Sequence, residues 1–282
     1  MADGAYRWQG CAPEPDAARV DSLDAAFDEA QVETFGEPAR AAALERLERA
    51  LAAVRTGDLT EAAAQLGHAR QTLDALHPEA LEPRRGLLGL FDSRGRRLKR
   101  FREAWARAAA TLSEVAADLS DRVKGAARRS GVLDGVWSEL RDAICDLDAH
   151  LLVAARRLSA QPPGEGKEAP PPLARRREAL DACRAAAIAA LPLVRNAQNA
   201  DARAAERLKA CAEGVAAWRD DWKDALGLSG RRPKKIRPDR DRLLRLRDDL
   251  LARIDVATAE LTAARARRAE AARRLADLHA RL

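Results

Sequence analysis

The sequence contains little of what would build a mixed fold, a secreted protein or a membrane-spanning protein. Only 4% of its 282 residues are aromatic, and β-branched residues are scarce. The 4 cysteines show no Cys-x-x-Cys spacing, which predicts reduced thiols in a soluble, cytoplasmic protein. No basic stretch followed by an apolar run opens the chain, so no secretory signal is expected. The sequence also lacks a run of about 18 apolar residues, and a transmembrane helix is therefore not expected.

Strong helix formers dominate instead. Ala, Leu, Arg and Glu are abundant, and charged residues make up 33% of the chain. This composition predicts an all-α fold, an elongated bundle of long antiparallel coiled-coil-like helices. The net charge is +6, but 50 bases are interspersed with 44 acids, which is typical of solvated helix faces.

Apolar spacing and chain breakers divide the sequence. Residues 1–35 are predicted to be a mobile N-terminal arm with a short helix around Asp21 to Ala30, and residues 36–85 a short helical hairpin. Residues 86–282 are predicted to be a long-helix, coiled-coil-like domain. Within it, a proline- and glycine-rich linker spans residues 161–172, and a basic loop spans residues 227–238.

Three features subdivide the long-helix domain further. A break at Arg129–Gly131 predicts two helices that fold back on each other, and Pro192 predicts a kink in the next helix. Arg247 and Arg268 interrupt the apolar stripe of the last helix, which predicts solvent-facing or loosely packed turns there.

No catalytic, cofactor or metal site is predicted. The histidines are isolated from one another, and Gly86–Phe91 lacks the Lys-Ser/Thr pair and the strand of a phosphate loop. Cys183 and Cys211 share one predicted helix. They are interpreted as small apolar residues on the face that packs against a neighbouring helix. The alternative is a pair of thiols that reacts with soft electrophiles such as tellurite.

Two basic clusters are candidate contacts to an anionic membrane surface or to phosphate. The first follows apolar residues, so it could dock on lipid, or it could be a hydrophobic staple with solvated cations. The second lies in the basic loop, where solvated side chains are the alternative. Nucleic acid is weakly supported, because no aromatic residues interleave these cations. The candidate contact residues are Phe91, Arg96, Arg97, Lys99, Arg100, Arg231, Arg232, Lys234 and Lys235.

Trp218 and Trp222 lie four positions apart and would share one face of their helix. Tryptophans at this spacing usually belong to a core, whereas exposed ones would indicate a groove for a partner.

The same helix carries a family resemblance. The segments Leu191–Arg195, Gln198–Asp201, Val215–Arg219 and Ala225–Leu228 resemble, in order and spacing, motifs of the toxic anion resistance (TelA-like tellurite resistance) family. Upstream, Arg96–Phe101 is similar to the basic-aromatic start of that family's long first helix. The resemblance covers about Gly86 to Leu282 and is most specific at Ala190 to Leu228.

The resemblance implies a cytoplasmic, non-enzymatic protein linked to tolerance of tellurite and of other stresses, including envelope stress. The leading hypothesis is a helical scaffold or adaptor that contacts other stress-resistance proteins. Its alternative is a protein peripheral to the inner face of the membrane or in contact with nucleic acid. The sequence does not show whether the apolar stripes pack against helices of the same chain or against those of a second copy in a homo-oligomer. The candidate partner-binding residues are Arg195, Asn196, Gln198, Asn199, Trp218 and Trp222.

Overall fold

The structure is a computed structural model that describes residues 12–56, 59–82, 94–160, 170–228 and 238–282. In these residues the regular backbone is helical and contains no strand, so the predicted all-α class is confirmed. Two short 3₁₀ helices lie at Glu29–Thr34 and Pro78–Leu81. The α-helices are α1 (Ala17–Ala25), α2 (Glu37–Arg55), α3 (Thr60–Asp74), α4 (Arg94–Ala160), α5 (Pro172–Ala225) and α6 (Arg240–Ala280).

The helices are organised in two compact units, each with its own apolar core. Unit 1 comprises the described residues of Met1–Gly57, Arg129–Asn199 and Arg267–Leu282. Unit 2 comprises the described residues of Asp58–Arg128 and Ala200–Ala266. Because the last three helices are long, α4, α5 and α6 each contribute residues to both units.

Unit 1 buries apolar side chains of α2, α4, α5 and α6. Its core includes Leu47, Leu140, Ile144, Val194 and Leu275, each no more than 1% exposed. Ion pairs link Asp148 to Arg184 and Asp134 to Arg195. Because residue numbers fall along α4 as they rise along α5, the two helices are antiparallel in this unit.

Unit 2 buries a second apolar set from α3, α4, α5 and α6, which includes Leu66, Leu112, Leu208, Trp222 and Leu250. Arg70 of α3 pairs with Asp255 of α6, and Arg247 of α6 donates a hydrogen bond to the carbonyl oxygen of Leu76 at 3.2 Å. α3 therefore lies antiparallel to α6 within the unit.

The predicted break in α4 is wrong. One helix runs from Arg94 to Ala160 and passes through Arg129–Gly131 without interruption. A helical glycine costs only about 1 kcal/mol relative to alanine. The buried Leu133 and Leu140 that follow stabilise the helical conformation of this stretch.

The predicted exposure of Arg268 is also wrong. This residue is only 5% exposed, and its guanidinium donates hydrogen bonds of 2.6 Å to the carbonyl oxygens of both Val54 and Thr56. The last carbonyls of a helix have no partner within the helix, so a cation at the end of α2 satisfies them. A charged residue inside the apolar stripe therefore caps a neighbouring helix.

The N-terminal segment contains a short helix at Ala17–Ala25, which begins and ends earlier than the predicted one around Asp21 to Ala30. Val20 of this helix is 2% exposed and packs with Ala149 and Val153 of α4. Asp24 accepts a hydrogen bond of 2.6 Å from Nε of Arg157. The mobility of the arm, the boundaries after residues 35 and 85, and the hairpin between them stay predictions. α5 continues through Pro192, and the kink there stays a prediction.

Candidate functional site

The most distinctive surface in unit 1 surrounds Trp137, a half-buried residue of α4. Two further α4 residues, Asp134 and Arg141, lie on the same side of the helix, one turn before and one turn after it. α5 contributes Arg195 and Gln198. We call these five residues the Trp137 surface.

Both neighbouring arginines of this surface stack on the tryptophan ring. The Cζ atom of Arg195 lies 4.1 Å from the ring centroid of Trp137, and that of Arg141 lies 4.7 Å from it. Each such cation–π contact contributes about 0.5–1 kcal/mol at an exposed site. These contacts favour one arrangement of the two guanidinium groups over the indole ring.

Hydrogen bonds orient Arg195 further. Its Nη1 atom donates to Oε1 of Gln198 at 2.5 Å and also pairs with Asp134. Gln198 donates in turn to Oγ of Ser130 at 2.9 Å. The hydrogen bonds of Asp134, first from Arg195 and then from Gln198, lower the pKa of this carboxyl below its ordinary value. Asp134 is therefore ionised at neutral pH and keeps Arg195 in place.

The structure brings together only part of the predicted partner-binding set. Arg195 and Gln198 belong to the Trp137 surface, and Asn196 and Asn199 are exposed on α5. Sequence reasoning does not identify Trp137, Arg141 and Asp134, because the spacing of Trp137 makes it one more position of the apolar stripe of α4. The signal that could have found it is the arginine four residues later, which can reach a tryptophan on the same helix face.

Trp218 and Trp222 lie in the core of unit 2. They are 2% and 0% exposed, and their ring centroids are 4.8 Å apart. Phe101 of α4 stacks on Trp222 with 6.0 Å between the ring centroids. The two indoles are therefore not accessible to a partner in this conformation, and they stabilise the unit.

The first basic cluster begins α4. Arg96, Lys99 and Arg100 are exposed and Arg97 is half-buried. Arg97 and Arg100 line a cavity of about 560 Å³ in unit 2. The other predicted contacts, Phe91, Arg231, Arg232, Lys234 and Lys235, lie outside the described residues.

Of the described cysteines, Cys183 and Cys211 are buried and belong to the two different cores. Burial raises the pKa of the Cys183 thiol and raises that of Cys211 to about 11. Burial also raises the pKa of Cys145, and the nearby Asp148 adds to this effect. All three thiols are therefore protonated at neutral pH, which makes them poor nucleophiles.

The described residues contain neither a cluster of metal-ligating side chains nor a membrane-spanning helix. No group of three or more His, Cys, Asp or Glu side chains in this part of the chain converges as a metal site would. None of the described helices is long and apolar enough to cross a membrane.

These features define an all-helical protein whose candidate functional side chains lie on helix faces. A family model described as toxic anion resistance protein (TelA) matches residues 20–169, just over half of the 282-residue chain. The chain belongs to the toxic anion resistance family. No curated protein and no solved structure matches it significantly.

The family match confirms the predicted family, although it lies outside the segment that carries the most specific motifs of the resemblance. The matched segment runs from within α1 to beyond the end of α4 and includes Asp134, Trp137 and Arg141. It ends before α5, where sequence analysis placed the most specific motifs, Ala190–Leu228. The predicted extent, Gly86 to Leu282, overlaps it only over residues 86–169.

Proposed function

We propose that this protein is a non-enzymatic scaffold in a cytoplasmic system that confers resistance to tellurite and to envelope stress. It binds another stress-resistance protein through the Trp137 surface. The single observation that carries the proposal is the half-buried indole of Trp137, over whose ring lie the guanidinium groups of both Arg141 and Arg195. Tryptophan and arginine are the residues most enriched at the energetic centres of protein interfaces.

Preorganisation supports the same assignment. Arg195 is already oriented by Asp134 and Gln198, so a partner would not have to immobilise a flexible side chain on binding. The exposed amides of Asn196 and Asn199, on the same helix, can donate and accept hydrogen bonds around this centre. The surface thus has an aromatic centre with polar groups beside it.

The non-enzymatic part of the proposal is supported by the thiols. Cysteine chemistry on a soft anion requires a thiolate, and thiolates occur where the pKa is lowered and the sulfur is accessible. Cys183 and Cys211 are 0% and 1% exposed, and burial raises the pKa of both thiols.

The test is an affinity purification of the tagged full chain from its native host, grown with and without tellurite, followed by mass spectrometry. We compare the wild type with Trp137→Ala and with Trp105→Ala, a matched change at the half-buried tryptophan of unit 2. The wild type and Trp105→Ala should retain a defined set of stress-resistance proteins that Trp137→Ala loses. Circular dichroism first establishes that both variants fold. Retention of the same proteins by folded Trp137→Ala contradicts the assignment of this surface.

A further inference from the structure

The hydrogen-bond donors of the Trp137 surface are only partly used. Nη1 of Arg195 donates to Gln198 and pairs with Asp134, whereas Nε and Nη2 of Arg195 have no hydrogen-bond partner among the described residues. Within the same part of the chain, Arg141 makes no hydrogen bond and no ion pair, and its guanidinium group contacts the ring of Trp137. Both guanidinium groups therefore keep donors that a binding partner can use.

The cation–π contacts leave these donors accessible. Such a contact is an attraction between the charge and the electrons of the ring, so it occupies no N–H group. Arg141 and Trp137 are half-buried, and the side chain of Arg195 is 37% exposed. A carboxylate can thus reach both guanidinium groups from solvent, and its attraction to them is screened less than at a fully exposed site.

The neighbouring carboxylates do not pair with Arg141. Asp134 pairs with Arg195, and Glu139 pairs with an arginine of α2 at 3.1 Å. Asp142 follows Arg141 directly, and successive residues of a helix project in different directions. The described part of the chain therefore supplies no carboxylate to Arg141, although the guanidinium group is held beside an aromatic ring.

The two guanidinium groups converge on the same ring. Their Cζ atoms lie 4.1 and 4.7 Å from the ring centroid of Trp137, so one short segment with two acidic side chains can reach both. A guanidinium group binds a carboxylate through paired N–H···O bonds. Single-stranded nucleic acid would instead stack its bases on an open aromatic face, and this ring already has two guanidinium groups over it. The geometry therefore favours a protein carboxylate over nucleic acid.

We propose that the partner of the Trp137 surface presents an acidic segment. Asp or Glu carboxylates of this segment bind Arg141 and Arg195, and an apolar side chain beside them packs on the indole of Trp137. This inference rests on the proposed function, because it names the chemistry of the partner that binds the same surface. Trp137→Ala tests the surface itself, whereas Arg141→Gln tests the recognition of acidic groups.

The test measures fluorescence anisotropy of a short labelled peptide in which Asp alternates with Leu, titrated with the full chain. The reference peptide has Asn in place of every Asp. The wild type should bind the acidic peptide at least about tenfold more tightly than the neutral one. Arg141→Gln should weaken binding of the acidic peptide by about tenfold or more, as expected for losing a hydrogen bond between charged groups.

The matched control, Arg175→Gln, removes the same charge from an exposed position of α5 in unit 1. Along the helix this position is about 30 Å from Arg195, so the control should stay within about twofold of the wild type. Circular dichroism establishes that both variants fold. If Arg141→Gln does not fold, Arg141→Lys replaces it and should still weaken binding, because lysine lacks the planar fork of donors.

Three results of these titrations would overturn the proposal. They are equal affinity for the acidic and neutral peptides, equal weakening by Arg175→Gln, and tighter binding of a labelled oligothymidylate that depends on Arg141. The last result would assign the surface to nucleic acid.

The affinity purification separates this failure from that of the proposed function. If Trp137→Ala loses the stress-resistance proteins and folded Arg141→Gln retains them, the surface is correct and its acidic partner is wrong. If Trp137→Ala retains them while the acidic peptide requires Arg141, recognition of the acidic segment stands and the proposed function fails.

Discussion

Two arginines of unit 1 are almost completely buried, and each has a specific partner. Arg184 is 4% exposed and pairs with Asp148, which is 0% exposed. Arg268 is 5% exposed and binds the carbonyl oxygens at the end of α2. A buried charge is tolerated only when it is paired or hydrogen-bonded. Both side chains therefore help to specify which helices lie together in the unit.

Replacing Arg268 with methionine should destabilise the protein by about 2–4 kcal/mol, because a hydrogen bond to a charged group contributes roughly 1.5–3 kcal/mol and the carbonyls would lose their donor. Urea unfolding followed by circular dichroism measures this change. Arg265→Met, at an exposed position of the same helix, is the control and should change the free energy of unfolding by less than about 0.5 kcal/mol. Equal effects of the two substitutions would show that Arg268 does not cap α2.

The buried thiol of Cys211 should make the protein less stable in alkaline solution. Burial raises its pKa in the folded state to about 11 from an ordinary value of 9.0. Between these values the folded state holds a proton that the unfolded state releases, so stability falls as the pH rises above 9.0 towards 11.

Urea unfolding of the wild type and of Cys211→Ala between pH 8 and about pH 10.5 tests this linkage. The wild type should lose stability relative to Cys211→Ala as the pH increases, with little change at the low end of this range, where the thiol is protonated in both the folded and the unfolded state. A constant difference across the whole range would mean that the thiol ionises as readily in the folded protein as in the unfolded chain.

At the scale of elements, the apolar stripe of α4 was predictable, and its continuity was not. Leu112, Leu119, Leu133, Leu140 and Leu147 all follow the three-and-four spacing and are no more than 1% exposed. The stripe identifies the buried face because that face must avoid water. The segment Arg129–Gly131 suggested a break, but the cost of a helical glycine is small beside the burial of the leucines on both sides.

Gly131→Ala and Gly135→Ala should therefore stabilise the protein by about 0.5–1 kcal/mol each, the usual gain in a helix interior. A Cβ atom at either position would meet no atom within 4 Å. Gly214→Ala in α5 is the contrasting variant, because its Cβ would lie 3.0 Å from Cδ of Arg253.

Thermal and urea unfolding measure the three alanine variants. Gly214→Ala should gain less stability than the α4 variants or lose some, since the side chain of Arg253 must move. Loss of stability in Gly131→Ala and Gly135→Ala, with a gain in Gly214→Ala, would contradict the described path of α4.

The assignment of side chains to particular partners was beyond sequence reasoning. The stripe of α6 shows which face is buried, but it does not show that α2 ends beside Arg268. In the same way, the spacing of Trp137 predicted a position in the apolar stripe of α4. The cation–π contact became visible only from the place of Arg195 on α5. Such contacts depend on which helices are neighbours, which periodicity does not specify.

At the scale of the whole molecule, the chain contains two units, and α4, α5 and α6 each contribute to both. The sequence predicted long helices between residues 86 and 282, but it did not assign α2 to the core of unit 1 and α3 to that of unit 2. The family match, over residues 20–169, includes residues of both units. The Trp137 surface draws on matched α4 residues and on α5 residues outside the match.

The central claim is that this member of the toxic anion resistance family acts through the Trp137 surface, and tellurite survival tests it most directly. A host strain that lacks the gene is complemented with the wild type, with Trp137→Ala/Arg195→Gln, or with the Trp105→Ala control, each at equal protein level. We expect the wild type and Trp105→Ala to restore survival and the Trp137→Ala/Arg195→Gln variant to fail although it folds. Full survival with the folded Trp137→Ala/Arg195→Gln variant would contradict the account.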